Sequence, residues 1–331
     1  MAMPVIGTSG PDSLRGTEGE DVILGLAGRD TIEGLGGHDL LLGGAGADLV
    51  RGDFPGFEHT GTGGNDTILG GPGDDTLYGG SVSFGGPAGD GDNLILGGSG
   101  NDAIVAGWGA DTVLGGRGDD QIRGFGEALG FSFRGAELLA RADQADLLRG
   151  GPGNDGIYAG AGADSVFGGP GDDTLSGQLG ADLLDGGSGA DRFVMAPIIL
   201  PFANSLIDTG VGEGQRDVIL DFRQGEDVID LSGYDSPDRF PFTRIGPERP
   251  EELPKPVFLG TGDFVPSLAL QVRTEILPDG NTLVQFATPL GPRQPDPDTA
   301  PTVPPQPTGE IELVGTFCLT AQDFVLDYPL R

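Results

Sequence analysis

Aspartates recur at a fixed spacing through the first part of this chain, and each follows a glycine-rich turn. The sequence GGPGDDTL occurs twice, with Asp75 and Asp173 as the second of two adjacent acids. Glycines permit left-handed backbone conformations in tight turns and leave carbonyl oxygens uncovered. A carboxylate beside several carbonyls is a ligand set of oxygens alone. Such a set suits Ca²⁺, which takes about six to eight oxygen ligands, better than Zn²⁺, which takes histidine or cysteine.

The aspartates belong to a nine-residue repeat that begins at Gly7. Aligned in register, 17 copies carry Asp at the sixth position, apart from Asn93 in one copy, and an apolar residue at the eighth. Side chains on a strand alternate between two faces, so the eighth position is predicted to point inward and the seventh and ninth outward. A three-residue strand cannot bury a face alone. We therefore expect the copies to stack as a solenoid.

The predicted core consists of the eighth positions. They are Leu14, Ile23, Ile32, Leu41, Val50, Ile68, Leu77, Ile95, Ile104, Val113, Ile122, Leu148, Ile157, Val166, Leu175, Leu184 and Phe193.

The formal net charge of −33 and the pI of about 4.1 argue against nucleic acid and anionic membrane surfaces as direct partners, since both are polyanions. Bound cations would offset the repulsion among the acids; an acidic surface that only aids solubility is the alternative. No segment approaches about 18 consecutive apolar residues, so we expect no membrane insertion. Cys318, the only cysteine, forms no intrachain disulfide and is expected to be a small buried hydrophobe.

These repeats resemble the RTX (repeats-in-toxin) calcium-binding nonapeptide, whose consensus is G-G-x-G-x-D-x-U-x. The resemblance covers residues 7–194. It implies an all-β fold, a right-handed parallel β-roll in which two nonapeptides make one turn. It also implies on the order of ten Ca²⁺ ions, each between the glycine turns of repeats i and i+2 and bound by both aspartates and by carbonyl oxygens.

The resemblance implies a set of aspartate ligands. They are Asp21, Asp30, Asp39, Asp48, Asp66, Asp75, Asp102, Asp111, Asp120, Asp155, Asp164, Asp173 and Asp182. The implied carbonyl ligands of the two GGPGDD turns are those of Gly70, Gly71, Gly73, Gly168, Gly169 and Gly171. Asp12 and Asp191 are terminal, Asp146 follows a long interruption and Asn93 is neutral, so these four are weaker candidates.

The composition changes near Met195, from glycine-rich to proline-rich, and residues 195–331 are predicted to form a separate C-terminal module. Its segments DVILDFRQGEDVIDLSGY, LPDGNTLV (a hairpin signal) and GEIELVGTFCLTAQDFVLDYPLR resemble the C-terminal module of serralysin-type proteins. The resemblance implies a β-rich cap that carries an uncleaved signal for type I secretion, in agreement with an N-terminus that lacks a Sec-type signal peptide. A plain hydrophobic cap is the alternative. The stretches 236–256 and 289–309 are predicted to be extended proline-rich loops.

No motif for catalysis is present. The chain has two histidines, His38 and His59, neither in an H-E-x-x-H motif, and no G-x-S-x-G nucleophile elbow. His38 is expected to face solvent. Since the first repeat opens at Gly7, we expect no protease domain and no enzyme. Adjacent acids such as Asp74 and Asp75 are better explained as parts of calcium turns than as an acid–base pair.

Three insertions interrupt the array, near residues 53–60, 81–89 and 125–145. Each falls in an even-numbered repeat, so we expect all three at one edge of the roll. They carry aromatic residues that are candidates for a ligand-binding edge: Phe54, Phe57, Phe84, Phe131 and Phe133. The alternative is that these aromatics only cover the roll. Trp108 is expected to be exposed and without a role.

The sequence therefore predicts a non-enzymatic, secreted protein that folds on binding Ca²⁺ outside the cell, as a surface, matrix or adhesion component. A calcium-dependent module that binds extracellular polysaccharide at the insertion edge is the alternative, and a polysaccharide-active enzyme with its site at that edge is a weaker one. The expected partners are calcium, an extracellular polysaccharide or cell-surface component, and the type I secretion machinery. The expected location is extracellular.

Overall fold

The computed structural model describes residues 4–53, 63–80, 91–124, 144–195, 214–232, 257–259, 261, 271–287 and 309–326. Within these ranges the regular structure is almost entirely β, with one short 3₁₀ turn at Ala321–Asp323. No helix in the described part of the chain is long and apolar enough to cross a bilayer. The strands, numbered in chain order, form two sheets.

The first sheet has 14 strands. They are β1 (Val5–Ile6), β3 (Val22–Ala27), β5 (Leu40–Ala45), β7 (Thr67–Pro72), β9 (Leu94–Ser99), β11 (Thr112–Arg117), β13 (Leu147–Arg149), β15 (Ser165–Pro170), β17 (Leu183–Ser188), β19 (Asp217–Ile219), β21 (Val257–Phe258), β22 (Gln271–Ile276), β23 (Thr282–Ala287) and β24 (Gly309–Leu313).

The second sheet has 11 strands. They are β2 (Ser13–Arg15), β4 (Thr31–Leu35), β6 (Leu49–Asp53), β8 (Thr76–Tyr78), β10 (Ala103–Val105), β12 (Gln121–Arg123), β14 (Gly156–Ala161), β16 (Thr174–Leu179), β18 (Arg192–Val194), β20 (Val228–Asp230) and β25 (Phe324–Val325).

Successive repeats alternate between the two sheets, so each strand pairs in parallel with the strand two repeats away. In the first sheet Ile23 lies opposite Leu41, and in the second Ile32 lies opposite Val50. This is the β-roll with two repeats per turn that the sequence predicted. Because the register repeats, the eighth positions of the two sheets face one another across a continuous apolar core.

Burial of the eighth position is confirmed along almost the whole array. From Ile23 to Phe193 every one of these side chains is at most 1% exposed, whereas Leu14, in the first turn, is only partly buried. Fully burying such a side chain contributes about 1.5–3 kcal/mol. The repeats are held together by this core, to which each copy adds a single large apolar residue.

The two sheets continue past the compositional change at Met195, which is itself fully buried. Strand β19 pairs in parallel with β17, and β20 pairs in parallel with β18. The first sheet then adds β24 in parallel and β23 and β22 antiparallel, and the second adds β25. The predicted hairpin at LPDGNTLV is confirmed as the β22–β23 connection. The boundary in composition therefore does not coincide with the end of the sheets.

A buried ion-pair cluster fixes β24 to the end of the roll. The guanidinium of Arg216 lies 3.5 Å from Glu310 and 2.5 Å from Glu312, and all three side chains are at most 14% exposed. Phe222 packs between the last repeat and the cap, with its ring centroid 6.4 Å from that of Phe193 and its ring edge-on to that of Phe317 at 5.5 Å.

Two predictions about single residues are wrong. Trp108 is buried, with 5% of its surface exposed, because its turn is packed within the array. Cys318 is exposed instead of buried, since it precedes Leu319, whose side chain occupies the core. The proline-rich stretches lie almost wholly outside the described residues.

Candidate metal sites

The glycine turns have a left-handed backbone at two of their positions. In most of the turns the second and fourth residues have positive φ, as in Gly169 (122°) and Gly171 (147°), or Gly71 (114°) and Gly73 (143°). Leu26, Leu35 and Gln178 are the non-glycine residues with positive φ in the described chain, and all three occupy the second position. The turn geometry is therefore imposed by the array even where a side chain opposes it.

The first position is glycine in every repeat except those that begin with Ala106 and Ala159, and the reason differs from the predicted backbone conformation. It has no positive φ, but oxygen atoms crowd its α-carbon. A Cβ on Gly43 would lie 2.7 Å from Oδ2 of Asp48 and 2.8 Å from the carbonyl oxygen of Gly70, in the next turn. Gly70 and Gly168 are crowded in the same way by Asp75 and Asp173. A carboxylate and a carbonyl thus converge on the inner side of each turn.

The sixth-position side chains form two columns, one along each edge of the roll. In each column the backbone N–H of one residue donates to Oδ1 of the residue two repeats later, as from Asp155 to Asp173 at 2.8 Å. The first column is Asp12, Asp30, Asp48, Asp75, Asp102, Asp120, Asp155, Asp173, Asp191 and Asp227. The second is Asp21, Asp39, Asp66, Asn93, Asp111, Asp146, Asp164, Asp182 and Asp217.

Every aspartate predicted as a ligand therefore lies in one of these columns, and the four weaker candidates do as well. All are buried apart from Asp12, which is half-buried at the open end. The columns also contain Asp217 and Asp227, which the repeat alignment missed. Their signal is present in the sequence, since DVI and GEDVI repeat the D-x-U end of the nonapeptide.

The second carboxylate oxygen has no hydrogen-bond partner through most of the array. Oδ2 is buried and unpartnered in Asp30, Asp39, Asp48, Asp75, Asp102, Asp120, Asp155, Asp164, Asp173, Asp182 and Asp191. Leaving a buried charged oxygen without a donor is costly. The position calls for a cation, and its oxygen-only surroundings fit Ca²⁺.

Burial disfavours the charged form of the aspartates in the columns. Burial raises the pKa of Asp155 to about 7; the hydrogen bond from Asp120 opposes this shift and the charge of Asp120 adds to it. Burial likewise raises the pKa of Asp173 to about 6. Among the described residues no group of three or more His, Cys, Asp or Glu side chains could hold a metal. A cation here would have to be held by paired aspartates with carbonyl oxygens completing its shell.

A second, exposed ladder runs outside the first column and was not foreseen from the sequence. It is formed by fifth-position side chains, whose Oδ1 accepts from the fifth-position N–H two repeats later. Its acceptors are Asp74, Asn101, Asp119, Asn154 and Asp172. Along the second column the corresponding acceptors are His38, Asn65 and Asp92, and His38 is exposed as expected. The turns in this ladder are thus bonded to one another at two consecutive residues, the fifth and the sixth.

The three insertions all leave from one edge. The described chain ends in the second sheet or just after it, at Asp53, Gly80 and Gly124, and resumes before strands β7, β9 and β13 of the first sheet. This edge carries the second aspartate column. The aromatic candidates Phe54, Phe57, Phe84, Phe131 and Phe133 lie outside the described residues.

Comparison with known proteins agrees with this geometry. A family model described as the RTX calcium-binding nonapeptide repeat matches residues 6–41, 24–54, 60–81, 87–122, 142–175 and 158–193. No curated protein matches the sequence.

Two solved structures similar to this chain are subunits of the Azotobacter vinelandii mannuronan C5-epimerase. The AlgE6R3 subunit is 23% identical over 57% of this chain and 83% of its own, with a TM-score of 0.30. The AlgE6R2 subunit is 22% identical over 57% of this chain and 91% of its own, with a TM-score of 0.32.

Proposed function

Because the repeats of this chain belong to the RTX calcium-binding nonapeptide family, we propose that it is a non-enzymatic, secreted protein that folds on binding Ca²⁺ outside the cell. Its role there is that of a surface, matrix or adhesion component. The observation that supports the proposal is the pair of aspartate columns, with their buried, unpartnered Oδ2 atoms.

The electrostatics of the columns make folding depend on the cation. A buried carboxylate is tolerated when it is paired or coordinates a metal, and otherwise opposes folding. The raised pKa values of Asp155 and Asp173 reflect this cost, and in the absence of calcium it recurs at the other buried aspartates of the columns. Calcium removes the cost by supplying positive charge to oxygens already arranged in the turns.

The concentration of calcium then decides where the protein folds. Extracellular calcium modules have a Kd of about 10⁻⁴–10⁻³ M. A site at millimolar calcium, about 10 times a Kd of about 10⁻⁴ M, contributes about 1.4 kcal/mol, so several such sites together reach the usual net stability of about 5–15 kcal/mol. At submicromolar calcium the same sites contribute almost nothing. Folding outside the cell is the consequence, and a secretion signal in the C-terminal module, read by the type I machinery, is part of the proposal.

A calcium titration followed by circular dichroism tests this function. We expect a chain with little strand signal in chelator and a cooperative gain of strand signal as calcium reaches millimolar concentration. Magnesium at the same concentration is the control, because its smaller shell and reluctant dehydration suit these turns poorly. Strand content that is the same in chelator and in calcium would refute the proposal.

A second candidate function, calcium-dependent binding of extracellular polysaccharide, is favoured by the common edge of the three insertions. Insertions on one face of a repeat array often form its binding face. The test is retention on immobilised polysaccharide in calcium and in chelator, with a variant in which Phe54, Phe57 and Phe131 are replaced by Ala. Retention that needs both calcium and the phenylalanines would favour this role, and release of sugar products would instead indicate an enzyme.

A further inference from the structure

The first two turns of the roll differ from the turns stacked on them. They read GTSGPD and GTEGED, with threonine at the second position. Thr8 and Thr17 are not among the residues with positive φ, whereas the second residues of the next two turns, Leu26 (81°) and Leu35 (97°), are. The backbone of these two turns therefore takes another path.

In this path the threonine binds the aspartate of its own turn. Oδ2 of Asp21 accepts a hydrogen bond from the N–H of Thr17 at 2.6 Å and another from its hydroxyl at 2.8 Å. Asp12 accepts the same two bonds from Thr8, at 2.5 and 2.9 Å. In the left-handed turns above them, Oδ2 of Asp30 and of Asp39 is buried without a partner.

The hydroxyl also lies next to a second candidate ligand. Oγ1 of Thr17 is 3.3 Å from the carbonyl oxygen of Gly19, at the fourth position of the turn, and Oγ1 of Thr8 is 3.3 Å from that of Gly10. The single hydroxyl hydrogen is donated to the nearer, carboxylate oxygen, so the threonine places its Oγ1 between that oxygen and the glycine carbonyl oxygen of the same turn. These are the two kinds of oxygen that a calcium ion would bring together.

We propose that Thr8 and Thr17 replace calcium in the first two glycine turns of the roll. Asp12 and Asp21 are then hydrogen-bonded structural residues, and the calcium sites begin at Asp30 and Asp39. This inference rests on the proposed calcium-dependent folding and removes Asp21 from the predicted ligands. At this end of the roll the second position then decides the state of a turn: a left-handed residue, as at Leu26 and Leu35, leaves the aspartate open to a cation, and a threonine, as at Thr8 and Thr17, closes it.

The other end of the first column is closed by the same means. Oδ2 of Asp227 accepts a hydrogen bond from the N–H of Arg223 at 2.6 Å, four residues earlier, the same separation as from Thr17 to Asp21. Its Oδ1 accepts from Asp191 at 2.9 Å, as in the repeats. The first column thus has internal donors at both ends and unpartnered oxygens between them, which confines the cations to its interior.

The test counts calcium ions per folded chain by native mass spectrometry of the full-length protein, with terbium luminescence as a second readout. Thr17→Gly opens the second turn and is expected to add one ion. Leu35→Thr closes the fourth turn and is expected to remove one. Leu35→Ala, which removes the same side chain without supplying a hydroxyl, is the matched control and keeps the wild-type count.

The outcomes distinguish a failure of this inference from a failure of the proposed calcium-dependent folding. If the wild-type chain binds no calcium, the proposed function itself fails. If it binds calcium and folds, but Thr17→Gly and Leu35→Thr both keep the wild-type count, the replacement of calcium by threonine is wrong. A gain with the first variant and a loss with the second support it, because a general loss of stability cannot add an ion.

Discussion

The N–H of Asp155 donates to Oδ1 of Asp173 at 2.8 Å, and the buried Oδ2 of the same Asp173 has no donor. One carboxylate thus has two separate tasks. The first oxygen joins consecutive turns, and the second is the oxygen that the proposed cation would bind. This division explains why an oxygen-rich turn persists in a chain of such high negative charge.

Neutralising one inner aspartate is expected to weaken the calcium-bound protein far more than neutralising its neighbour. Asp173→Asn keeps the Oδ1 acceptor but loses the charge that faces the cation, which costs about 2–3 kcal/mol at saturating calcium. Asp172→Asn makes the same charge change on the exposed ladder and is expected to cost at most about 0.5 kcal/mol. Urea unfolding in calcium measures both, and equal losses would contradict the separate roles of the two residues.

The stability of the metal-free protein is expected to fall as the pH rises. Burial raises the pKa of Asp155 from 3.8 to about 7 and those of Asp120 and Asp173 to about 6, so folding takes up protons. The protonated columns favour the roll fully below pH 3.8, and this contribution is lost as the pH rises through 6–7. Circular dichroism in chelator at pH 4.5 and pH 8 measures the difference.

In saturating calcium the dependence on pH is expected to reverse, because protons compete with the cation for the same carboxylates. The calcium concentration at half-folding should rise as the pH falls below about 6. The same direction of pH dependence with and without calcium would show that the columns do not bind the ion.

Crowding at Gly168 predicts that alanine destabilises this turn, although Ala106 and Ala159 occupy the first position of two other repeats. A Cβ on Gly168 would meet Oδ2 of Asp173 and lie 2.6 Å from the carbonyl oxygen of Gly186. Gly168→Ala is expected to cost about 1–3 kcal/mol by overpacking. Gly10→Ala is the control, since nothing lies within 4 Å of its Cβ position, and thermal unfolding in calcium should leave it near wild type. Comparable losses in the two variants would rule out crowding as the cause.

The buried cluster at Arg216 predicts that the cap depends on this residue. Arg216→Ala removes the guanidinium that pairs with the buried carboxylates of Glu310 and Glu312, and we expect the free energy of unfolding to fall by about 3–5 kcal/mol. Arg15→Ala removes an exposed ion pair with Glu33 and is expected to cost at most about 1 kcal/mol. Urea unfolding in calcium compares the two, and an Arg216→Ala variant as stable as Arg15→Ala would contradict a structural role for the cluster.

The core and the aspartate columns were predictable because both follow a strict period. Each nine-residue copy has one apolar residue and one acid at fixed positions, such as Leu175 and Asp173. Stacking the copies in register buries the apolar residues and aligns the acids. The continuation of the columns into Asp217 and Asp227 was harder to recognise, because the glycines that mark the other turns are mostly replaced there.

The remaining errors come from contacts between turns. The fifth position looks variable along the sequence, but Asp119 and Asn154 become partners only once their turns are stacked 35 residues apart. Thr17 departs from the second glycine of the consensus, but the consequence for the turn becomes visible only from its φ angle and its hydrogen bonds. Trp108 and Cys318 were misplaced because a single residue outside the period carries no information about its neighbours.

The inner ladder has a direction. Each Asp N–H donates to a residue that comes later in the chain, so every turn depends on its successor and none on its predecessor for this bond. The last two donors of the repeats, Asp182 and Asp191, are satisfied only by Asp217 and Asp227, beyond the array. Truncating the protein from its N-terminus therefore removes turns without orphaning a donor of this ladder. Truncation after Val194 leaves the N–H groups of Asp182 and Asp191 without these acceptors, so the inner ladder is completed only by the chain beyond the array.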